Sequence, residues 1–127
     1  MCSASNSTVF IVEDSAVVRD ALVDLLECLP DVTIVGSAED AETAIDAIAR
    51  TRPDCVVLDY QLAKGTAIDV LRALQPALHD VTFIVLTNHV TTQYQRVCMK
   101  AGASWFLDKA REFAKVKEII AQLRVAK

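Results

Sequence analysis

The stretch CVVLDYQLAKG, residues 55–65, decides the fold. Cys55, Val56, Val57 and Leu58 form a continuous apolar run, the pattern of a strand buried on both faces, and the run stops at Asp59 before a polar turn through Gly65. Asp59 therefore stands at the carboxyl end of a strand. Taken alone, an aspartate there is most simply a turn residue, because an ionised carboxylate is rarely buried without partners. Its company elsewhere in the chain reverses that reading.

Working outward, the pattern of a short apolar strand closed by a polar residue and followed by a helical stripe recurs along the chain. Residues 8–12 are β-branched and aromatic and end at Glu13 and Asp14. Val18, Ala21, Leu22, Leu25 and Leu29 then recur at helical spacing, with Ser15 or Asp14 available as N-cap and Pro30 closing the segment. Residues 32–38, interrupted by Gly36, read as a second strand, and Asp40 opens a helix whose inner face is Ala41, Ala44, Ile45 and Ile48. Arg52 and Pro53 stop it, since proline disfavours helical geometry in the residue before it. After the central strand, Ala67, Leu71, Leu74 and Leu78 form a stripe that Pro76 shortens or kinks, and residues 81–86 are a fourth strand ending at Thr87. Tyr94, Val97, Cys98 and Ala101 line a fourth helix that Gly102 stops. Residues 104–107 form a fifth strand before Asp108 and Lys109, and Val116, Ile119, Ile120 and Leu123 line the last helix.

Strict alternation of this kind implies an α/β fold, a doubly wound five-stranded parallel sheet with five helices. Every loop that follows a strand then lies on one edge, so Glu13, Asp14, Asp59, Thr87 and Lys109 gather in one cleft, where ligands bind in such sheets.

A chain of 127 residues fits one domain, here residues 8–127, preceded by a small, polar and flexible tail over 1–7. Net charge of -4 gives no electrostatic reason to expect direct nucleic-acid binding. Cys2, Cys28, Cys55 and Cys98 lie far apart without a Cys-x-x-Cys pair, which argues against zinc and for reduced thiols in a cytoplasmic protein; of the four, Cys2 is expected to be the exposed one. No apolar run approaches the roughly 20 residues of a membrane span, and the N-terminus has no leader pattern.

Three carboxylates in one cleft repel one another unless a cation joins them or their pKa values rise. A magnesium ion takes a few carboxylate oxygens, keeps waters and accepts phosphate oxygens. A lysine and a threonine hydroxyl across the cleft complement phosphate, so the five residues suit phosphoryl transfer onto a carboxylate, with Asp59 as the nucleophile.

These five positions, in this order, make the chain resemble the receiver domain of two-component response regulators over about residues 8–123, in a stand-alone form like the chemotaxis receiver. The resemblance implies the flavodoxin-like strand order 2-1-3-4-5, with Asp59 as phosphoacceptor and Lys109 as the phosphate-contacting lysine. It implies Mg2+ bound directly by Asp14 and Asp59 and by the backbone carbonyl of Gln61, with Glu13 acting through water. Thr87 and Phe106 match the switch hydroxyl and switch aromatic, and Gln61, Asn88 and His89 match positions that tune phosphate lifetime. The implied donor is a phosphohistidine on a histidine kinase or histidine phosphotransfer protein, and the implied reader is an unidentified downstream protein. Membrane and nucleic acid are not expected as partners, and the protein is expected to be a monomer or weak dimer. Enzymatic action would be limited to self-catalysed phosphotransfer and autodephosphorylation.

Four departures stand beside the matches. Ala63 replaces a frequent proline, Ala67 a nearby glycine, Asn88 the usual small residue after the switch threonine, and Ala110 the proline of a Lys-Pro pair. Those at Ala63, Asn88 and Ala110 leave open a receiver-fold binding module that works without phosphorylation, and a receiver that forms part of a longer transcription regulator is a further alternative. A haloacid-dehalogenase-type phosphatase would need a second aspartate where Gln61 stands. A flavin-binding flavodoxin would need a Gly-rich phosphate loop that the first strand lacks.

Singly, each site residue has a plainer reading. Glu13 and Asp14 would be a solvated helix start, Thr87 a turn hydroxyl, Lys109 a surface charge and Phe106 core packing. The basic residues near the C-terminus, among them Arg111, Lys115 and Lys117, are most simply a solvated helix face, and His79 a surface residue.

Overall fold

A computed structural model describes residues 6–78, 80–88 and 90–126, the side chains of 124–126 excepted. Five strands, β1 (Ser7–Val12), β2 (Val32–Ala38), β3 (Cys55–Asp59), β4 (Thr82–Thr87) and β5 (Trp105–Asp108), alternate with α1 (Ala16–Glu27), α2 (Ala41–Thr51), α3 (Ala67–Leu74), α4 (Thr92–Ala101) and α5 (Lys115–Ala126). The strands form one parallel sheet in the order β2-β1-β3-β4-β5. β3 lies at its centre and is buried along its whole length, as its apolar run requires. The expected doubly wound architecture and strand order are both present.

Alternation along the strands splits the core in two. Phe10, Val12, Val56, Leu58, Phe83 and Val85 pack with the inner faces of α2 and α3, while Val9, Ile11, Val57, Ile84 and Leu86 pack with Leu22 and Leu26 of α1 and with Val116, Ile119 and Ile120 of α5. Gly36 is needed by this packing. A Cβ there would lie 2.8 Å from Cε2 of Phe10, and the register between β1 and β2 shifts beside the same ring, between Val9 and Phe10.

Several boundaries and faces differ from expectation. β1 begins at Ser7, whose side chain is buried, rather than at residue 8, and β4 and β5 each run one residue later than expected. In α1 the buried pair is Leu22 and Leu26, and Ala21 is exposed. The apolar arc from Leu25 through Leu29 and Leu22 to Leu26 leaves Ala21 about 90° from its centre. α4 buries Cys98 alone, and Val97 is 37% exposed. α3 ends at Leu74 with Gln75 as C-cap, so Pro76 shortens the helix, and Leu78 packs in the core from the following turn.

Cys28, expected to be covered, caps α1 from an exposed position, and Cys2 lies outside the described residues. Burial pushes the Cys98 thiol up to about 11 and the Cys55 thiol further in the same direction. Alkylation of the folded protein by iodoacetamide at pH 8, read by peptide mass spectrometry, is therefore expected to modify Cys28 and to spare Cys55 and Cys98 until denaturant is added.

α2 ends at Arg52, which adopts the left-handed conformation (φ 46°, ψ 61°) with its amide donating to Ile48 O at 2.8 Å. A helix usually ends in this geometry on glycine, because a Cβ there crowds the backbone. Arg52→Gly is expected to raise stability by about 0.5 kcal/mol, relief of that strain exceeding glycine's extra unfolded-state entropy. Urea denaturation of the two proteins checks it.

Candidate functional site

Each member of the acidic cluster comes from a strand end. β1 delivers Glu13 and Asp14, β3 ends on Asp59, β4 ends on Thr87, and Lys109 follows β5. Parallel order sends all of them to one edge, where they line a cleft of about 380 Å³ with Gln61 and Asn88. Carboxylate oxygens of Glu13, Asp14 and Asp59 all lie within 4.8 Å of one another.

Lys109 is the hub. Its Nζ is 3.0 Å from Glu13 Oε1 and 3.3 Å from Asp59 Oδ2. Its backbone amide donates to Thr87 O at 2.8 Å, which fixes the chain after β5 against the end of β4. The Lys109–Ala110 peptide is trans. The ammonium explains how Glu13, at 1% exposure, is tolerated as a buried acid: one oxygen faces Lys109 and the other accepts the Ser15 amide at 3.1 Å. A solvated helix start describes Asp14, which is exposed, but not Glu13. Ser15 is the N-cap of α1, its Oγ accepting from Val18 N.

Burial pushes both the Glu13 and Asp59 carboxyls above their ordinary values, and Lys109 only partly offsets it. Asp14 adds to the rise at Asp59 by charge repulsion. Burial pulls the Lys109 ammonium down, but the Glu13 hydrogen bond and the charges of Asp59 and Glu13 outweigh it, so Lys109 is held above the usual lysine range. With three acids around one ammonium, Glu13 and Asp59 both hold their protons more tightly than free carboxyls do. A divalent cation would relieve the same imbalance.

The oxygen-only donor set suits a hard cation, and the 4.8 Å span is close to the roughly 4 Å that separates opposite oxygens around magnesium. Gln61 sits in the β3–α3 loop, exposed and bridged to Thr66, and Asn88 is exposed at the rim. Phe106 does not line the cleft. It is half-buried, in register with Val85, and packs on the same side of the sheet as that residue. His89 and His79 lie outside the described residues.

The sequence reading passed over Tyr60 and Arg19. Tyr60 follows Asp59 directly, and its ring stacks on Tyr94 of α4 with centroids 4.7 Å apart and planes 18° from parallel. Arg19 donates from Nη1 to the Glu13 carbonyl at 3.0 Å. No periodicity marks either residue, since both contacts join segments that only the fold brings together.

Comparisons with known proteins converge. Residues 9–121 match the response regulator receiver domain family. The chain is 36% identical over 101 residues to the DNA-binding transcriptional activator DevR/DosR of Mycobacterium tuberculosis, covering 80% of this chain and 46% of that protein. It is 30% identical over 122 residues to a protein-glutamate methylesterase/protein-glutamine glutaminase of a Nocardioides species, covering 93% of this chain and 33% of that one. The chain thus spans less than half the length of these curated relatives. Among solved structures, the signal receiver domain of NarL from Mycobacterium tuberculosis superposes with a TM-score of 0.86 at 20% identity, covering 96% of this chain and 98% of that one. The response regulator domain of Thermotoga maritima CheB superposes at 0.81 with 23% identity, covering 95% and 96%. With a family match across nearly the whole sheet and an acidic cleft at its carboxyl edge, the chain belongs to the response regulator receiver domains of two-component systems.

Proposed function

We propose that Asp59 accepts a phosphoryl group from a phosphohistidine on a histidine kinase or histidine phosphotransfer protein, and that the acyl phosphate so formed is the signal. The observation that carries this reading is the placement of Asp59, buried at the centre of the sheet edge, 3.3 Å from the Lys109 ammonium and beside two further acids. An Asp59 oxygen attacks phosphorus, the P–N bond to the donor imidazole breaks, and its electron pair remains on that nitrogen. Lys109 then trades its carboxylate contact for a phosphate oxygen, and the Thr87 hydroxyl donates to another. Bound Mg2+ would supply charge neutralisation for the phosphoryl oxygens.

Asp14, Asp59 and the Gln61 carbonyl are the direct ligands in this reading. Glu13 has both oxygens engaged, by Lys109 and by the Ser15 amide, which supports its acting through water. Gln61, Asn88 and His89 are the residues that set the lifetime of the phosphate in this reading. Movement of Thr87 and Phe106 on phosphorylation alters the face formed by α4, β5 and α5, which a downstream protein reads. The 36% identity to a DNA-binding transcriptional activator favours one second reading, in which a receiver of this kind forms part of a longer regulator.

Intact mass after incubation with MgCl2 and acetyl phosphate tests the proposal. The protein is expected to gain one phosphoryl group, to gain none when EDTA replaces MgCl2, and to gain none as Asp59→Asn. An adduct that persists in Asp59→Asn would sink the assignment of Asp59.

A further inference from the structure

Position 63, where the family often carries proline, has an alanine whose backbone amide is in use. Ala63 N–H donates to the Glu39 carbonyl at 3.0 Å, a bond that proline, lacking the amide hydrogen, cannot make. In the opposite sense, Ala41 N–H donates to Lys64 O at 2.9 Å. These two bonds fasten the loop after β3, which carries Gln61, to the turn between β2 and α2. Gly65, at φ 85°, lets the loop lie close: a Cβ there would be 2.8 Å from the Ala41 Cβ.

Glu39 also reaches the other side of the cleft. Its Oε2 is 3.4 Å from Arg19 Nη1, the same nitrogen that donates to the Glu13 carbonyl. An ion pair with side chains 21% and 60% exposed is weak by itself. The two backbone bonds do not depend on it, however, and on the other side the Glu13 N–H donates to the Ala38 carbonyl at 2.9 Å, so the end of β1 and the loop after β3 both meet residues 38–41. The β2–α2 turn thereby ties the strand end bearing Glu13 and Asp14 to the loop bearing Gln61.

We propose that Arg19, Glu39 and the Ala63 amide are positioning residues that hold the Gln61 loop in register with the acidic pair, so that the cation site at Asp59 is preformed. The inference rests on the reading of Asp59 as a magnesium-dependent phosphoacceptor.

The test measures affinity for MgCl2 alone, by calorimetry and by the magnesium-induced rise in melting temperature, with hydrogen exchange as a structural readout at the Ala41 amide and at the Leu62 amide, which donates to Gly65 O at 3.2 Å within the loop. Ala63→Pro is expected to weaken magnesium binding about 10-fold, the size usual for losing a partner outside the ligand set, and to speed exchange at both amides. Ala63→Ser, which keeps the amide, is expected to retain the affinity. Phosphorylation of Ala63→Pro by acetyl phosphate is expected to recover at saturating MgCl2, because the chemistry at Asp59 is untouched. Arg19→Gln, which leaves every backbone bond of the loop in place and carries the test if Ala63→Pro does not fold, is expected to weaken binding in the same direction. Wild-type magnesium affinity and unchanged exchange in these variants would overturn the positioning role while leaving phosphorylation of Asp59 standing. Failure of the unaltered protein to bind magnesium or form the adduct would overturn both.

Discussion

Lys109→Met is expected to lower the stability of the magnesium-free protein by about 2 to 3 kcal/mol at pH 7, somewhat less than the 3 to 5 typical of a broken, fully buried ion pair because the cleft opens to water. Methionine keeps most of the apolar stem and removes the charge. Glu13 and Asp59 are left beside each other and beside Asp14 with no counter-ion, at 1% and 7% exposure. The sign with pH follows from the shifts. Lys109 is held above its ordinary value, so its contribution is complete below the usual lysine range and fades only as pH rises through its raised pKa. At the acid end the deficit also shrinks, because below about pH 4 both carboxyls are protonated in the folded and unfolded chains alike. Urea denaturation between pH 4 and 9 in EDTA measures the gap. A variant as stable as the parent at pH 7 would mean that Lys109 does not neutralise the cluster. The same variant is expected to lose most acetyl-phosphate-driven adduct formation, since no other described ammonium lines the cleft.

Asp59→Asn moves stability in the opposite direction. Asparagine has nearly the shape of aspartate without its charge, and the Asp59 carboxyl is raised above its usual value by burial, against which Lys109 is an incomplete remedy. A carboxyl whose folded pKa is raised destabilises the fold wherever it is ionised, so replacing it is expected to add about 1 kcal/mol at pH 7, an advantage that disappears below about pH 4. Lys109 keeps its 3.0 Å partner in Glu13. Magnesium is expected to reverse the order. At ten times its Kd the cation adds about 1.4 kcal/mol to the wild type, and it adds little to Asp59→Asn, which has lost the proposed ligand and phosphoacceptor together. Melting temperatures of both proteins with EDTA and with MgCl2 give the four values required. A magnesium-independent difference between them would detach Asp59 from the cation site.

Both predictions concern a cluster whose members were named in the sequence but whose internal arrangement was not. Chain order and strand ends placed Glu13, Asp14, Asp59, Thr87 and Lys109 in one cleft, because parallel strands leave no alternative for the loops that follow them. The sequence could not show that Lys109 closes on Glu13 before Asp59, nor that Glu13 is buried while its neighbour Asp14 is exposed. Adjacent residues leave a strand end in opposite directions, and which of them turns inward depends on what stands across the cleft.

Sequence by itself determined the alternation of strands and helices, the parallel sheet, its buried central strand and the edge on which chemistry gathers. Those follow from local periodicity and from the handedness of crossovers, both of which are written in short windows of chain. Tertiary structure alone decided the Tyr60–Tyr94 stack, the exposure of Cys28 and Ala21, and the convergence of Arg19, Glu39 and Ala63 beside the acidic cleft. Each of these depends on how far a helix is rotated, or on which two loops meet, and such contacts between distant segments form only when the whole sheet and its helices are packed together.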